Sequence, residues 1–165
     1  MANACCAARR PLEKRSVLVA DFFSAPRHFE GIGFTCVAGN PPWKPLERVT
    51  TYKIVSDDPV DGQEASEYIT WMSLRRYLKA GGVLGLVMPS KSISSPFAKT
   101  FITGLGQEFH VRAIVNLSQW RRHLFENAEQ PAALLFVSAR TITYSCRTAF
   151  YSPAMWTQPF TPKAM

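Results

Sequence analysis

The chain has 165 residues, of which 47% are hydrophobic and 19% charged, and a formal net charge of +7. That length carries one domain with a real core but not comfortably two, and the balance excludes wholesale disorder. No apolar run approaches the roughly 20 residues of a membrane-spanning helix, and the excess of positive charge makes nucleic acid a natural partner.

The first fifteen residues fit no recognisable unit. They begin MANACCAARRPLEK, with small residues ahead of basic ones. That is the reverse of a secretory signal, so the expected location is the cytoplasm. Ser16 to Ala20 is a short β-branched run that stops at Asp21, and Phe34 to Ala38 is a second that stops at Gly39-Asn40. From Lys44 to about Gln63 the chain is polar, contains proline and shows no period, as expected of a long lid or binding loop. Between Glu64 and Lys79, the apolar residues Ala65, Tyr68, Ile69, Met72, Leu74, Tyr77 and Leu78 recur every three or four positions. That spacing predicts an amphipathic helix, with Gly81-Gly82 as its left-handed stop. Val83 to Met88 is a continuous apolar strand of the kind buried on both faces of a parallel sheet, and Pro89 ends it. A helix is predicted from about Ser95 to Gly104 with Pro96 in its first turn. Val111 to Asn116 and Ala132 to Ser138 read as strands, and the polar, basic and aromatic stretch Leu117 to Pro131 lies between them. Residues 141–165 are expected to hold a C-terminal strand and a linker.

This alternation of strands and helices is the pattern of an open α/β sheet, in which ligands bind just beyond the carboxyl ends of the strands. The chemically distinctive residues fall at those ends: Asp21-Phe22, Asn40 to Trp43, and Pro89-Ser90-Lys91. Asn40-Pro41-Pro42-Trp43 is the most informative of them. Each proline fixes its own backbone and restricts the residue before it, so the turn is rigid. Such a turn can aim the Asn40 side-chain oxygen and the Pro41 carbonyl at one point. Two convergent acceptors suit an exocyclic amino group, which has two hydrogens to donate, and Trp43 offers a flat face to a planar base. The basic residues cluster at Arg9-Arg10, Lys14-Arg15, Arg75-Arg76 and Arg121-Arg122-His123. The four cysteines, Cys5, Cys6, Cys36 and Cys146, show no CxxC pairing and no histidine at zinc-ligand spacing, so they are expected to be free thiols, with no metal site.

With its flanking blocks, this motif resembles the catalytic Asn-Pro-Pro-aromatic motif of amino-group methyltransferases of the class I S-adenosylmethionine fold. The order of the blocks is similar to that of the gamma-type adenine-N6 DNA methyltransferases, including those fused within type IIG restriction enzymes. VLVADFF (Val17 to Phe23), YLKAGGVLGLVMPSKS (Tyr77 to Ser92) and FENAEQPAALLFV (Phe125 to Val137) carry the resemblance beside the motif, over roughly Ser16 to Ala139. It implies a partial, Rossmann-like methyltransferase sheet with flanking helices over residues 16–140, S-adenosylmethionine as cofactor, and methyl transfer to adenine N6 of double-stranded DNA. It further implies that Asn40, Pro41, Pro42 and Trp43 are catalytic and that the flipped base stacks between Trp43 and Phe125. Asp21 would accept from the cofactor's adenine amino group, Phe22 would pack on its ring, and Arg121 and Arg122 would contact phosphate. A restriction endonuclease domain or subunit is an implied partner, and a target-recognition region is expected after residue 165. The family's glycine-rich cofactor loop has no counterpart ahead of Asp21, so the isolated chain is expected to be inactive. Two alternatives share the same residues: a protein-glutamine methyltransferase, whose substrate offers a similar planar nitrogen, and a nucleic-acid-binding remnant without catalysis.

Overall fold

The computed structural model describes residues 22, 32–45, 64–120, 124, 130–139 and 147–153. In these residues five strands form one sheet in the order β1-β2-β4-β3-β5. β1 (Phe34–Gly39) pairs in parallel with β2 (Leu78–Pro89). β4 (Ala132–Ala139) lies antiparallel between β2 and β3 (Phe109–Asn116), and β5 (Ala149–Tyr151) is parallel to β3. β1, β2, β3 and β5 therefore share one direction and only β4 is reversed. The carboxyl ends of β1, β2, β3 and β5 open on the same rim of the sheet.

The connections that make this arrangement possible are helical. α1 (Ala65–Met72) runs into a π-helical turn (Ser73–Tyr77) and returns the chain from β1 to β2. A one-turn helix α2 (Lys91–Ser94), a 3₁₀ turn (Pro96–Ala98) and α3 (Lys99–Glu108) carry it from β2 to β3. Ser95 begins the 3₁₀ turn by accepting the Ala98 N–H on its hydroxyl at 3.2 Å, and Pro96 gives up only an N–H that the turn leaves unbonded. The core joins Trp71 and Leu74 to Leu84, Leu86 and Met88 of β2, to Phe101 and Leu105 of α3, and to Val111, Ile114, Leu135 and Val137 of β3 and β4. Each of these side chains is withdrawn from water, where burial is worth roughly 1.5–3 kcal/mol for a Leu or Met. Gly104 lets α3 approach closely, because a Cβ there would stand 3.2 Å from the Trp71 ring.

Three expectations change. β2 is not buried on both faces: Leu84, Leu86 and Met88 are 0–4% exposed, whereas Val83, Gly85 and Val87 are half-buried. The described helix residues Trp71, Leu74, Phe101 and Leu105 all pack on the first of those faces. The helix predicted to reach Lys79 ends at Tyr77, where the backbone turns extended at Leu78. Gly81-Gly82 consequently sits inside β2 rather than at a helix end. Gly81 does take the left-handed conformation, with φ 75°, but it serves a bulge: Phe34 faces Leu78 while Cys36 faces Val83, so four residues of β2 stand against one of β1. Gly82 is required for a different reason. A Cβ there would lie 2.9 Å from Leu78 Cδ2 and from the carbonyl oxygens of Lys79 and Phe34. Third, the basic pair Arg75-Arg76 is not a free cationic patch. The Arg75 guanidinium lies 4.6 Å over the Trp71 ring and is bound to Glu108 at 2.7 Å, joining α3 to the π-helical turn. Among the described residues no helix is long and apolar enough to cross a membrane.

Candidate functional site

The rim is built from the ends of the parallel strands. β1 pairs with β2 as far as Gly39 opposite Leu86. There the ladder must stop, because Pro41 and Pro42 have no N–H to donate to the neighbouring strand. The indole of Trp43 supplies the donor the prolines lack: its Nε1–H bonds the Val87 carbonyl at 3.2 Å. The irregular turn Asn40–Trp43 is thereby tied to the carboxyl end of β2, with Asn40 exposed, Pro41 buried, and Pro42 and Trp43 half-buried. The turn is fixed at its exit as well. The Lys44 carbonyl accepts the Ala65 N–H at 2.9 Å, and Pro45 forms an antiparallel bridge with Glu64. So the first turn of α1 and the end of β2 hold the motif from two sides.

Beyond β2, a hydrogen-bonded chain crosses the rim toward β3. Ser118 gives its backbone N–H and its hydroxyl to Asn116 Oδ1, at 3.0 and 2.5 Å. With that hydroxyl proton used, the 3.2 Å contact between Ser90 Oγ and Ser118 Oγ has Ser90 as donor. The Ser90 N–H reaches the Pro131 carbonyl at 2.8 Å and the Leu117 N–H the Ala132 carbonyl at 2.9 Å. Trp120 donates its indole N–H to Pro153 at 3.1 Å. The ends of β2, β3 and β5 and the start of β4 thus form one bonded edge. A charged contact completes it: Lys91 Nζ lies 2.6 Å from Glu64 Oε1.

Asn40, Pro41, Pro42 and Trp43 are brought together with Ser90 and Lys91 at this rim. Phe22 is not with them. It is half-buried, and its ring meets Tyr77 edge-on at 5.8 Å, beside the opposite, amino end of β2. Asp21, Arg121, Arg122 and Phe125 lie outside the described residues. The described residues on either side of 121–129, Trp120 and Gln130, belong to segments bonded into the rim. Sequence reading placed Lys91 at a strand end without a role and missed Glu64 and the Ser90–Ser118–Asn116 chain. An acidic residue just ahead of a buried helix was the available signal for Glu64. Among the described residues no group of three His, Cys, Asp or Glu side chains is placed to hold a metal.

No family model matches the sequence, and no curated protein matches it. Solved structures do. One is a chain from the structural study of complex assembly and conformational transition of the type I restriction–modification system, at a TM-score of 0.54 and 17% identity. The match covers 74% of this chain and 24% of that one. Another is a Listeria monocytogenes protein assigned to the class I S-adenosylmethionine-dependent methyltransferases, at a TM-score of 0.54 and 15% identity. Here the match covers 77% of this chain and 39% of the other. The chain thus spans well under half the length of either neighbour. At these identities the likeness is one of fold: the described sheet, four strands in one direction with a reversed strand among them, has the α/β architecture of part of a class I methyltransferase.

Proposed function

We propose that the protein carrying this chain transfers a methyl group from S-adenosylmethionine to the N6 amino group of adenine in double-stranded DNA. The observation that carries the reading is the Asn40–Trp43 turn, anchored at the carboxyl rim of a methyltransferase-type sheet by the Trp43–Val87 hydrogen bond. In this reading Asn40 Oδ1 and the Pro41 carbonyl accept the two amino hydrogens of a base swung out of the duplex, and Trp43 stacks on its ring. Phe125 covers the opposite face, and Arg121 and Arg122 meet phosphate. The two acceptors hold the amino nitrogen with its lone pair directed away from them, and that lone pair forms the new N–C bond. The surplus proton leaves past Asn40, whose exposure opens a path to water. Rate comes from this positioning, with no strong base needed.

S-adenosylmethionine would supply the sulfonium methyl, its S–CH3 bond breaking as the N–C bond forms and its sulfur keeping the electron pair as a neutral thioether. Asp21 is the proposed contact to its adenine. Phe22 is proposed to pack on the same ring; its own ring meets Tyr77 beside the amino end of β2, apart from Asn40–Trp43. A restriction subunit or domain is the proposed protein partner, and the cytoplasm the proposed location. Incubating the full-length protein with duplex DNA and tritiated S-adenosylmethionine tests the reading: label is expected in N6-methyladenine. Label in cytosine instead, or in glutamine of a protein, overturns it.

A further inference from the structure

The ion pair beside the turn has an unusual feature. Glu64 is 8% exposed, its Oε1 takes Lys91, and its Oε2 is buried without a hydrogen-bond partner among the described residues. A buried carboxylate costs several kcal/mol unless its charge is matched and its oxygens are bonded. Among the described residues, that compensation at the side chain comes from one ammonium, which is itself 48% exposed. Were the pair needed only to weld α1 to the sheet, apolar packing of the kind already made by Ile69, Trp71 and Met72 would serve as well. What distinguishes Glu64 is its backbone. It bridges Pro45, two residues beyond Trp43, while the next residue, Ala65, donates its N–H to the Lys44 carbonyl. Lys91 in turn stands four positions after Val87, the residue that holds the Trp43 indole. Turn, helix start and strand end therefore close into a small frame, and Glu64–Lys91 is its charged member.

We propose that Glu64 and Lys91 are positioning residues: their ion pair is a latch that holds the Asn40–Trp43 turn in register with the carboxyl end of β2. The inference rests on the functional reading above for its purpose, since a planar ring can dock productively only on a Trp43 of fixed pitch. Without Lys91 the Glu64 carboxylate has no donor among the described residues in its buried position, so it must swing toward water. Pro45 and the turn are then drawn with it. Removing both charges relieves that demand.

The test needs no catalysis. The chain is labelled with 5-fluorotryptophan and followed by fluorine NMR, its four tryptophans giving separate lines, with Trp43 assigned by the line lost in Trp43→Phe. In Lys91→Met the Trp43 line is expected to shift by more than its own width while the line of Trp71, in the core, stays in place. In the double variant Glu64→Gln/Lys91→Met the Trp43 line returns most of the way, and Lys91→Arg leaves it near the parent position. The latch is overturned if the Trp43 line is unmoved in Lys91→Met, if Trp71 moves with it as in a general loosening, or if the double variant is as displaced as the single one. Where Lys91→Met does not fold, Lys91→Gln replaces it with the same expectations. Methyl transfer is not measured, so a failed latch leaves the proposed reaction standing, and label that misses adenine leaves the latch standing.

Discussion

Trp43→Phe separates the two jobs that the indole is given. The substitution keeps an aromatic face and removes the Nε1–H that bonds the Val87 carbonyl. At 3.2 Å the bond is slightly longer than the usual 2.9–3.0 Å for N–H···O, and both partners are neutral. Trp43 is half-buried, so water can reach the carbonyl once the indole is gone. The cost should therefore sit near the ~1 kcal/mol of an ordinary hydrogen bond and below the ~3 kcal/mol upper end for a sealed orphan. In a chain of 165 residues that lowers the melting temperature by roughly 2–4 °C. Urea denaturation should show the midpoint falling with the slope unchanged, because the surface exposed on unfolding is nearly the same. Hydrogen exchange supplies the second reading: in the parent the Trp43 indole proton should exchange more slowly than that of a free indole. A midpoint unchanged within about 0.3 kcal/mol, or an unprotected indole proton, would mean that the turn is held by its prolines and by the Lys44–Ala65 contact without help from Val87.

Three further outcomes are expected. Asn40→Ala in the full-length protein should lower single-turnover methylation by roughly 10²–10³, as losing one preorganised hydrogen-bonding partner does elsewhere, with little change in DNA binding; unchanged turnover would reduce the motif to a stiff turn. Gly82→Ala places a methyl 2.9 Å from two carbonyl oxygens and Leu78 Cδ2, so it should cost about 1–3 kcal/mol in denaturant titration, and a neutral result would remove the bulge as a constraint. Calorimetric titration of the 165-residue chain with S-adenosylmethionine should give no micromolar binding, because the chain has no glycine-rich loop ahead of Asp21; a micromolar constant would refute that.

How far the fold was legible depended on whether a signal was local. Short apolar and β-branched runs found β1, β3 and β4 to within two residues, whereas the helix expected from Ser95 to Gly104 opens as a 3₁₀ turn at Pro96 and runs on to Glu108. The Asn-Pro-Pro-Trp turn was visible because proline constrains its neighbours whatever surrounds it. The end of the first helix was misjudged because Gly-Gly after an apolar period looks the same as a helix stop or a bulge, and only the pairing of β1 with β2 decides between them. The one-sided burial of β2 was equally hidden, since an apolar run records hydrophobicity and says nothing of which face a helix covers. Glu64–Lys91 spans 27 residues and Ser90–Ser118 spans 28, and no spacing rule links residues so far apart. Arg75 stood out only as a member of a basic cluster, yet a carboxylate 33 residues on and an aromatic ring claim it.

The reversed direction of β4 has a consequence for how such a rim can change. A parallel neighbour would have forced the chain to travel back along the sheet before entering β4, and that return path would be part of the packed layer. Because β4 starts where β3 ends, the connection between Trp120 and Gln130 leaves and re-enters at one edge, fastened at both feet by Trp120–Pro153 and Ser90–Pro131. Its length is therefore independent of the sheet. Closure entropy grows slowly with the length of a connection, by about 0.6 kcal/mol per doubling, so residues can be gained or lost between Trp120 and Gln130 without repacking Leu135 or Val137. A change of length between β3 and β4 therefore leaves the bonded strand ends and the Asn40–Trp43 turn as they are.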